Sequence, residues 1–127
     1  MVRILCIGNR FYYPDDFGIR VYEELRSFDL QDIEVVEGGV GGMNLALYFE
    51  DDAALLIVDY GTHHKKILTP EDIAKIEINE FNHASAFLYL LKSVKKKYTV
   101  YLCNEVYKKE NISSYVDQVL ILARGML

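Results

Sequence analysis

Residues 8–18 read GNRFYYPDDFG. Two adjacent acids, Asp15 and Asp16, stand between glycines, where an apolar run gives way to an amphipathic one. Asp59 stands near the end of a second apolar run, AALLIVDYG (53–61), and His83 opens NHASAFLYLLKSV (82–94). Carboxylates that face a common point repel unless a proton or a cation joins them. Two carboxylates and an imidazole make an oxygen–nitrogen metal site with open positions. Each residue also has a plainer use. An acid at a helix start commonly caps it, an acid at a strand end is commonly solvated, and a histidine in a first helical turn commonly lies on the surface. From spacing alone either Asp15 or Asp16 can be the ligand, with the other capping the helix. The histidines of THHKK (62–66) read as loop surface.

These residues need elements that bring them together. VRILCIG (2–8) is a continuous apolar, β-branched run, the pattern of a buried strand. From Asp16 onward Ile19, Tyr22, Leu25 and Phe28 recur in steps of three, which predicts an amphipathic helix. DIEVVEG (32–38) reads as a second strand, GGVGG (38–42) as a flexible turn, and MNLALYFED (43–51) as a short helix. AALLIVDYG is the third strand. KKILTPEDI (65–73) fits an edge strand followed by a helical turn. NHASAFLYLLKSV predicts a helix with Asn82 as its N-cap, and YTVYLCN (98–104) a further buried strand. SSYVDQVLILARG (113–125) predicts a last helix, capped by Ser113 or Ser114 and ended by Gly125. Strand–helix alternation is the signature of right-handed βαβ units. In open α/β sheets sites form beyond the carboxyl ends of the strands, where Asp15, Asp16, Asp59 and His83 are all expected to fall.

Composition bounds the alternatives. The chain has 127 residues, about half of them apolar, which fits one domain over 1–127 with a substantial core. Its net charge of −5, with no basic run beyond KSVKKK (92–97), argues against a nucleic-acid binder. That lysine run reads as a solvated helix end. No apolar run is long enough to span a bilayer and no leader segment is evident. Cys6 and Cys103 stand alone in strand-like runs, so neither a zinc site nor a disulfide framework is expected, and the cytoplasm is the expected compartment. GNRFYYPDDFG lacks G-x-G-x-x-G and sets acids where a phosphate would lie, which disfavours a nucleotide- or flavin-binding module.

The stretches ILCIGN, DDFGIRV, VEGGVGGMNL, LLIVDYG and NHASAFLYLL together resemble the nickel–iron hydrogenase maturation endopeptidases. The resemblance runs from residue 4 to about residue 92. It implies a three-layer α/β/α sandwich on a five-stranded, mostly parallel mixed sheet with one antiparallel edge, which KKIL suits. Counting from Gly8–Asn9 or back from Gly18, the family's metal-binding acid falls on Asp15. Pro14 replaces the acid that precedes it and Asp16 the small residue that follows. The second acid matches Asp59, the histidine matches His83, and the Gly-Gly-x-x-Gly turn matches Gly38, Gly39 and Gly42.

The resemblance therefore implies an endopeptidase that removes a C-terminal extension from the large-subunit precursor of a nickel–iron hydrogenase after nickel insertion. Asp15, Asp59 and His83 would be its catalytic and nickel-holding residues. Gly38, Gly39 and Gly42 would let the substrate tail approach the backbone. Nickel would arrive with the substrate, with none permanently bound, and neither nucleic acid nor membrane would be a partner. A protein of this fold that binds a partner without proteolysis is the alternative.

Overall fold

The computed structural model describes residues 1–40, 43–77 and 91–127. Its strands are β1 (Val2–Ile7), β2 (Ile33–Gly39), β3 (Ala54–Tyr60), β4 (Ile67–Leu68) and β5 (Tyr98–Cys103). Among the described residues, α-helices with both ends given are α1 (Phe17–Leu25), α2 (Pro70–Lys75) and α3 (Ile112–Gly125), residues 91–93 are also helical, and 3₁₀ helices lie at Met43–Phe49 and Lys109–Asn111. The strands form one sheet in the order β2-β1-β3-β5-β4. β1 is parallel to β2 and β3, β3 is parallel to β5, and only the two-residue β4 runs antiparallel, at the edge. This is the mixed five-stranded α/β sheet that the family resemblance implies.

Strand side chains alternate between faces, and the two cores sort by that parity. Ile4, Cys6, Leu56 and Val58 pack under Phe17, Val21 and Leu25 of α1 and Val116, Val119 and Ala123 of α3. Leu5, Ile7, Leu55 and Ile57 face the other way, against Leu45, Ile73 of α2 and Leu91. Two covered faces make three layers, and they explain why the strands read as continuous apolar runs. Asp59 takes the position after Ile57 on the second parity, at the carboxyl end of β3.

Several sequence readings need correction. α1 stops at Leu25, so Phe28 lies beyond the helix and is 44% exposed, while the stripe that meets the sheet is Phe17, Val21 and Leu25. The Met43–Phe49 segment is 3₁₀ rather than α. Gly38 and Gly39 close β2 instead of opening a free turn. α3 is not capped by a serine side chain: it follows directly from the Lys109–Asn111 turn, whose Lys109 carbonyl accepts from the Ile112 amide, and Ser114 Oγ donates back to the Asn111 carbonyl. A tightened turn thus satisfies part of the helix start. The lysine run is not wholly solvated, because Lys96 Nζ lies 2.8 Å from the Tyr48 carbonyl and 2.9 Å from Asp51. Residues 82–90 of the helix expected over 82–94, with its Asn82 cap, lie outside the described residues.

The edge element behaves as its sequence suggests. β4 leads into Thr69, whose hydroxyl accepts from the Asp72 amide at 3.3 Å while the Asp72 carboxylate accepts from the Thr69 amide at 2.9 Å. This reciprocal capping box, with Pro70 at the first helical position, starts α2. Ile73 then anchors the short helix in the core.

Candidate active site

β1 and β3 are neighbouring parallel strands, so the segments that leave them share one edge of the sheet. The segment after β1 is closely fitted. Its Asn9 amide donates to the Asp15 carbonyl at 3.0 Å, and the Gly8 amide donates to the Gly39 carbonyl at 2.7 Å. A Cβ on Gly8 would lie 2.7 Å from the Asp15 carbonyl oxygen, and one on Gly18 only 2.0 Å from that of Ile7. Real Cβ atoms do not approach backbone that closely, so both glycines let α1 start directly against the end of β1.

The two adjacent aspartates have different surroundings. Asp16 sits at the N-cap of α1 but makes no side-chain capping bond. It is 3% exposed. One carboxylate oxygen accepts from the Tyr107 hydroxyl at 2.6 Å, the other from Arg20 Nε at 3.0 Å. The expectation that one acid of the pair caps the helix through its side chain is therefore not met by Asp16; its carboxylate instead ties α1 to the loop after β5. Burial, reinforced by the bond to Asp16, pushes the Tyr107 hydroxyl above its usual range.

Asp15 is half-buried, and its charge reaches across to β3. Asp59 is 5% exposed and accepts from the Tyr60 amide at 2.8 Å. Burial pushes the Asp59 carboxyl well above the usual carboxylate range. The Tyr60 amide opposes that rise, and the charge of Asp15 adds to it. Desolvation first and like charge second are the conditions under which a proton or a bound cation stabilises a pair of carboxylates. The structure thus brings Asp15 and Asp59 into electrostatic contact at the carboxyl edge.

The remaining sequence candidates divide. His83 and Gly42 lie outside the described residues. Gly38 is buried, and a Cβ there would meet Ile7 Cδ1 at 2.6 Å, so its missing side chain makes room for core packing. Gly39 has φ near +60°, a conformation that favours glycine, with open space where a side chain would stand. The rings of His63 and His64 stack at 4.3 Å, and Asn104 Nδ2 donates to both of their carbonyls. Among the described residues no three His, Cys, Asp or Glu side chains gather as a metal site. Cys6 and Cys103 are buried and free, as their isolation in the sequence suggests, and burial pushes both thiols up. Neither is suited to act as a nucleophile.

Tyr107 and Arg20 escaped the sequence reading. Tyr107 stands in a polar stretch, and its partner Asp16 is 91 residues away, so no local pattern reports the pair. Arg3 had a signal: a lone cation inside an apolar strand needs acids. It is 6% exposed and binds Asp51 through both terminal nitrogens, at 3.1 and 2.8 Å, and Glu34 at 2.9 Å.

The family model for HycI, hydrogenase maturation protease, matches residues 19–117. The chain belongs to the hydrogenase maturation protease family. The matched stretch includes Asp59 and His83 and begins just after the Asp15–Asp16 pair. Solved structures of this kind share the fold. The hydrogenase maturating endopeptidase HybD from E. coli is 22% identical, with 98% of this chain and 93% of that one covered and a TM-score of 0.74. The hydrogenase 2 maturation peptidase from a Thaumarchaeota archaeon is 23% identical over 95% and 96%, with a TM-score of 0.63. The [NiFe] hydrogenase maturation protease HycI from Thermococcus kodakarensis KOD1 is 16% identical over 97% and 92%, with a TM-score of 0.68. No curated protein matches the chain. As a family member the protein is an endopeptidase of hydrogenase maturation. No helix among its described residues is long and apolar enough to cross a membrane.

Proposed function

We propose that this protease removes a C-terminal extension from the large-subunit precursor of a nickel–iron hydrogenase in the cytoplasm, and that it acts once the precursor carries nickel. The observation that carries the reading is the pairing of Asp59, buried and held protonated-leaning by its surroundings, with Asp15 on the neighbouring loop. A cation brought to that edge relieves the repulsion and the desolvation together. With His83, which the family resemblance matches to the family's histidine, the three side chains would offer oxygen and nitrogen donors to nickel and leave positions for the substrate's own ligands. Nickel is part of the substrate in this scheme. Fixed against the two aspartates, it can polarise the scissile carbonyl or lower the pKa of a water. Asp15 rather than Asp16 is the acid whose charge bears on Asp59, which supports Asp15 as the ligand of the pair.

Gly39, with open space where a side chain would stand, would let the extended tail pass close to the backbone at the end of β2, and Gly42 is assigned the same role by the resemblance, while Gly38 makes room for the Ile7 and Leu5 side chains. The test is precursor processing by single variants. Alanine at Asp15, Asp59 or His83 should each stop cleavage in a protein that remains folded by circular dichroism. Cleavage at wild-type rate by any of the three removes that residue from the site.

A further inference from the structure

The loop that carries Asp15 is held from both sides by one residue of another loop. Tyr13 Oη donates to the backbone carbonyl of Tyr107, and the Tyr107 hydroxyl in turn donates to the Asp16 carboxylate at 2.6 Å. Residues 13 and 16 flank Asp15, so Tyr107 grips the chain two positions before it and one position after it. The grip is packed as well as bonded. The Tyr107 ring lies 5.0 Å from that of Tyr13 and meets Phe17 edge-on at 5.4 Å, and it is 1% exposed. Lys109 Nζ closes the outer side, 5.7 Å from the Tyr13 ring centre. Arg20 holds the second oxygen of Asp16, so that carboxylate has a single orientation fixed by two donors.

The geometry points to Tyr107 as a positioning residue for the proteolytic site, acting through Asp16 to set the place of Asp15. This rests on the assignment of Asp15 proposed above. A loop beside a reacting centre otherwise moves freely, and a displacement of about 1 Å in a group that must meet the substrate can cost on the order of 100-fold in rate. The device reaches across the sheet: β1 supplies the loop and β5 the clasp, with β3 and Asp59 between them.

Two measurements test it. Tyr107→Phe keeps the ring and the carbonyl that Tyr13 uses, and removes only the bond to Asp16. Asp16→Asn keeps an oxygen acceptor for the Tyr107 hydroxyl, while Asp16→Ala removes it. With nickel-loaded precursor, Tyr107→Phe and Asp16→Ala should each lower kcat by roughly 10- to 100-fold with KM little changed. Asp16→Asn should recover most of that loss, and the Asp16→Ala/Tyr107→Phe double variant should be no slower than either single one. A merely structural role would instead make losses in kcat follow losses in thermal stability from variant to variant.

The second measurement does not depend on proteolysis. The Asn9 amide, bonded to the Asp15 carbonyl, should lose hydrogen-exchange protection in Tyr107→Phe while amides of β1 and β3 keep theirs. If Asn9 stays protected, the positioning role is wrong, whether or not the wild type cuts. If Asn9 loosens but wild type cuts no precursor, the clasp stands and the reading of the site it serves falls.

Discussion

Asp15 and Asp16 can be told apart by what substitution does to stability. Asp16→Ala leaves the buried Tyr107 hydroxyl without its acceptor and takes one partner from Arg20. Stranding a buried polar group costs about 1–3 kcal/mol, against about 1 kcal/mol for a lost helix cap, so urea unfolding should show the larger loss. Asp59 should behave in the opposite sense. Its carboxyl is raised in the folded protein, chiefly by burial. Its contribution to stability is therefore complete below the unfolded carboxylate range, near 3.9, and is lost as pH rises toward the folded value. Asp59→Asn should then melt higher than wild type at neutral pH, with the gap widening from about pH 4 upward. Each unit of upward displacement corresponds to about 1.4 kcal/mol. A gap that stays constant with pH would show that Asp59 ionises normally. A stabilised but inactive variant would show that the domain carries this carboxylate at a cost for its chemistry.

Among the elements, the junction of β1 and α1 is the tightest. Gly18→Ala would set a methyl 2.0 Å from the Ile7 carbonyl oxygen, and neither partner is a flexible side chain. The helix must lift off the strand, at about 3 kcal/mol or more, and the urea midpoint should fall accordingly; an unchanged midpoint would contradict the close approach. A second element-level test concerns β1 and the turn after the Met43–Phe49 helix. Hydrogen bonds from Arg3 and Lys96 hold the Asp51 carboxyl well below the usual carboxylate range. A depressed carboxylate stabilises above its unfolded value and loses that contribution as pH falls, so Asp51→Asn should flatten the acid limb of the stability profile. Its cost at neutral pH should be about 1 kcal/mol, because the Asp51 side chain is half-exposed and water screens the pair.

Strand readings survived because both faces of the sheet are covered, which leaves β1, β3 and β5 apolar at nearly every position. The helix readings erred at their ends. α1 stopped before Phe28, and α3 drew its start from a preceding 3₁₀ turn instead of a serine. Such endings depend on backbone bonds that side-chain periodicity does not report. The approach of Asp15 to Asp59 was legible because it follows from topology: one follows β1 and the other ends β3, adjacent parallel strands. Its supports were not legible: Tyr107 meets Asp16 only once β5 is set beside β3.

For the whole molecule, the common direction of β1, β2, β3 and β5 puts the loop that carries Asp15 and the end of β3 that carries Asp59 at one edge of the sheet. Family membership makes the protein a maturation endopeptidase; what it senses in its precursor is the proposal. In the proposed scheme nickel arrives with the precursor, and the substrate's own ligands fill the positions that Asp15, Asp59 and His83 leave open. The isolated protein should accordingly copurify with little nickel, as elemental analysis would read. The most direct measurement incubates the protein with the large-subunit precursor of its cognate hydrogenase, with nickel inserted and without it. Release of the C-terminal tail is followed by mass spectrometry. The account predicts release from the nickel-loaded precursor and none from the empty one. Equal release from both would contradict nickel recognition, and release from neither would contradict proteolysis itself.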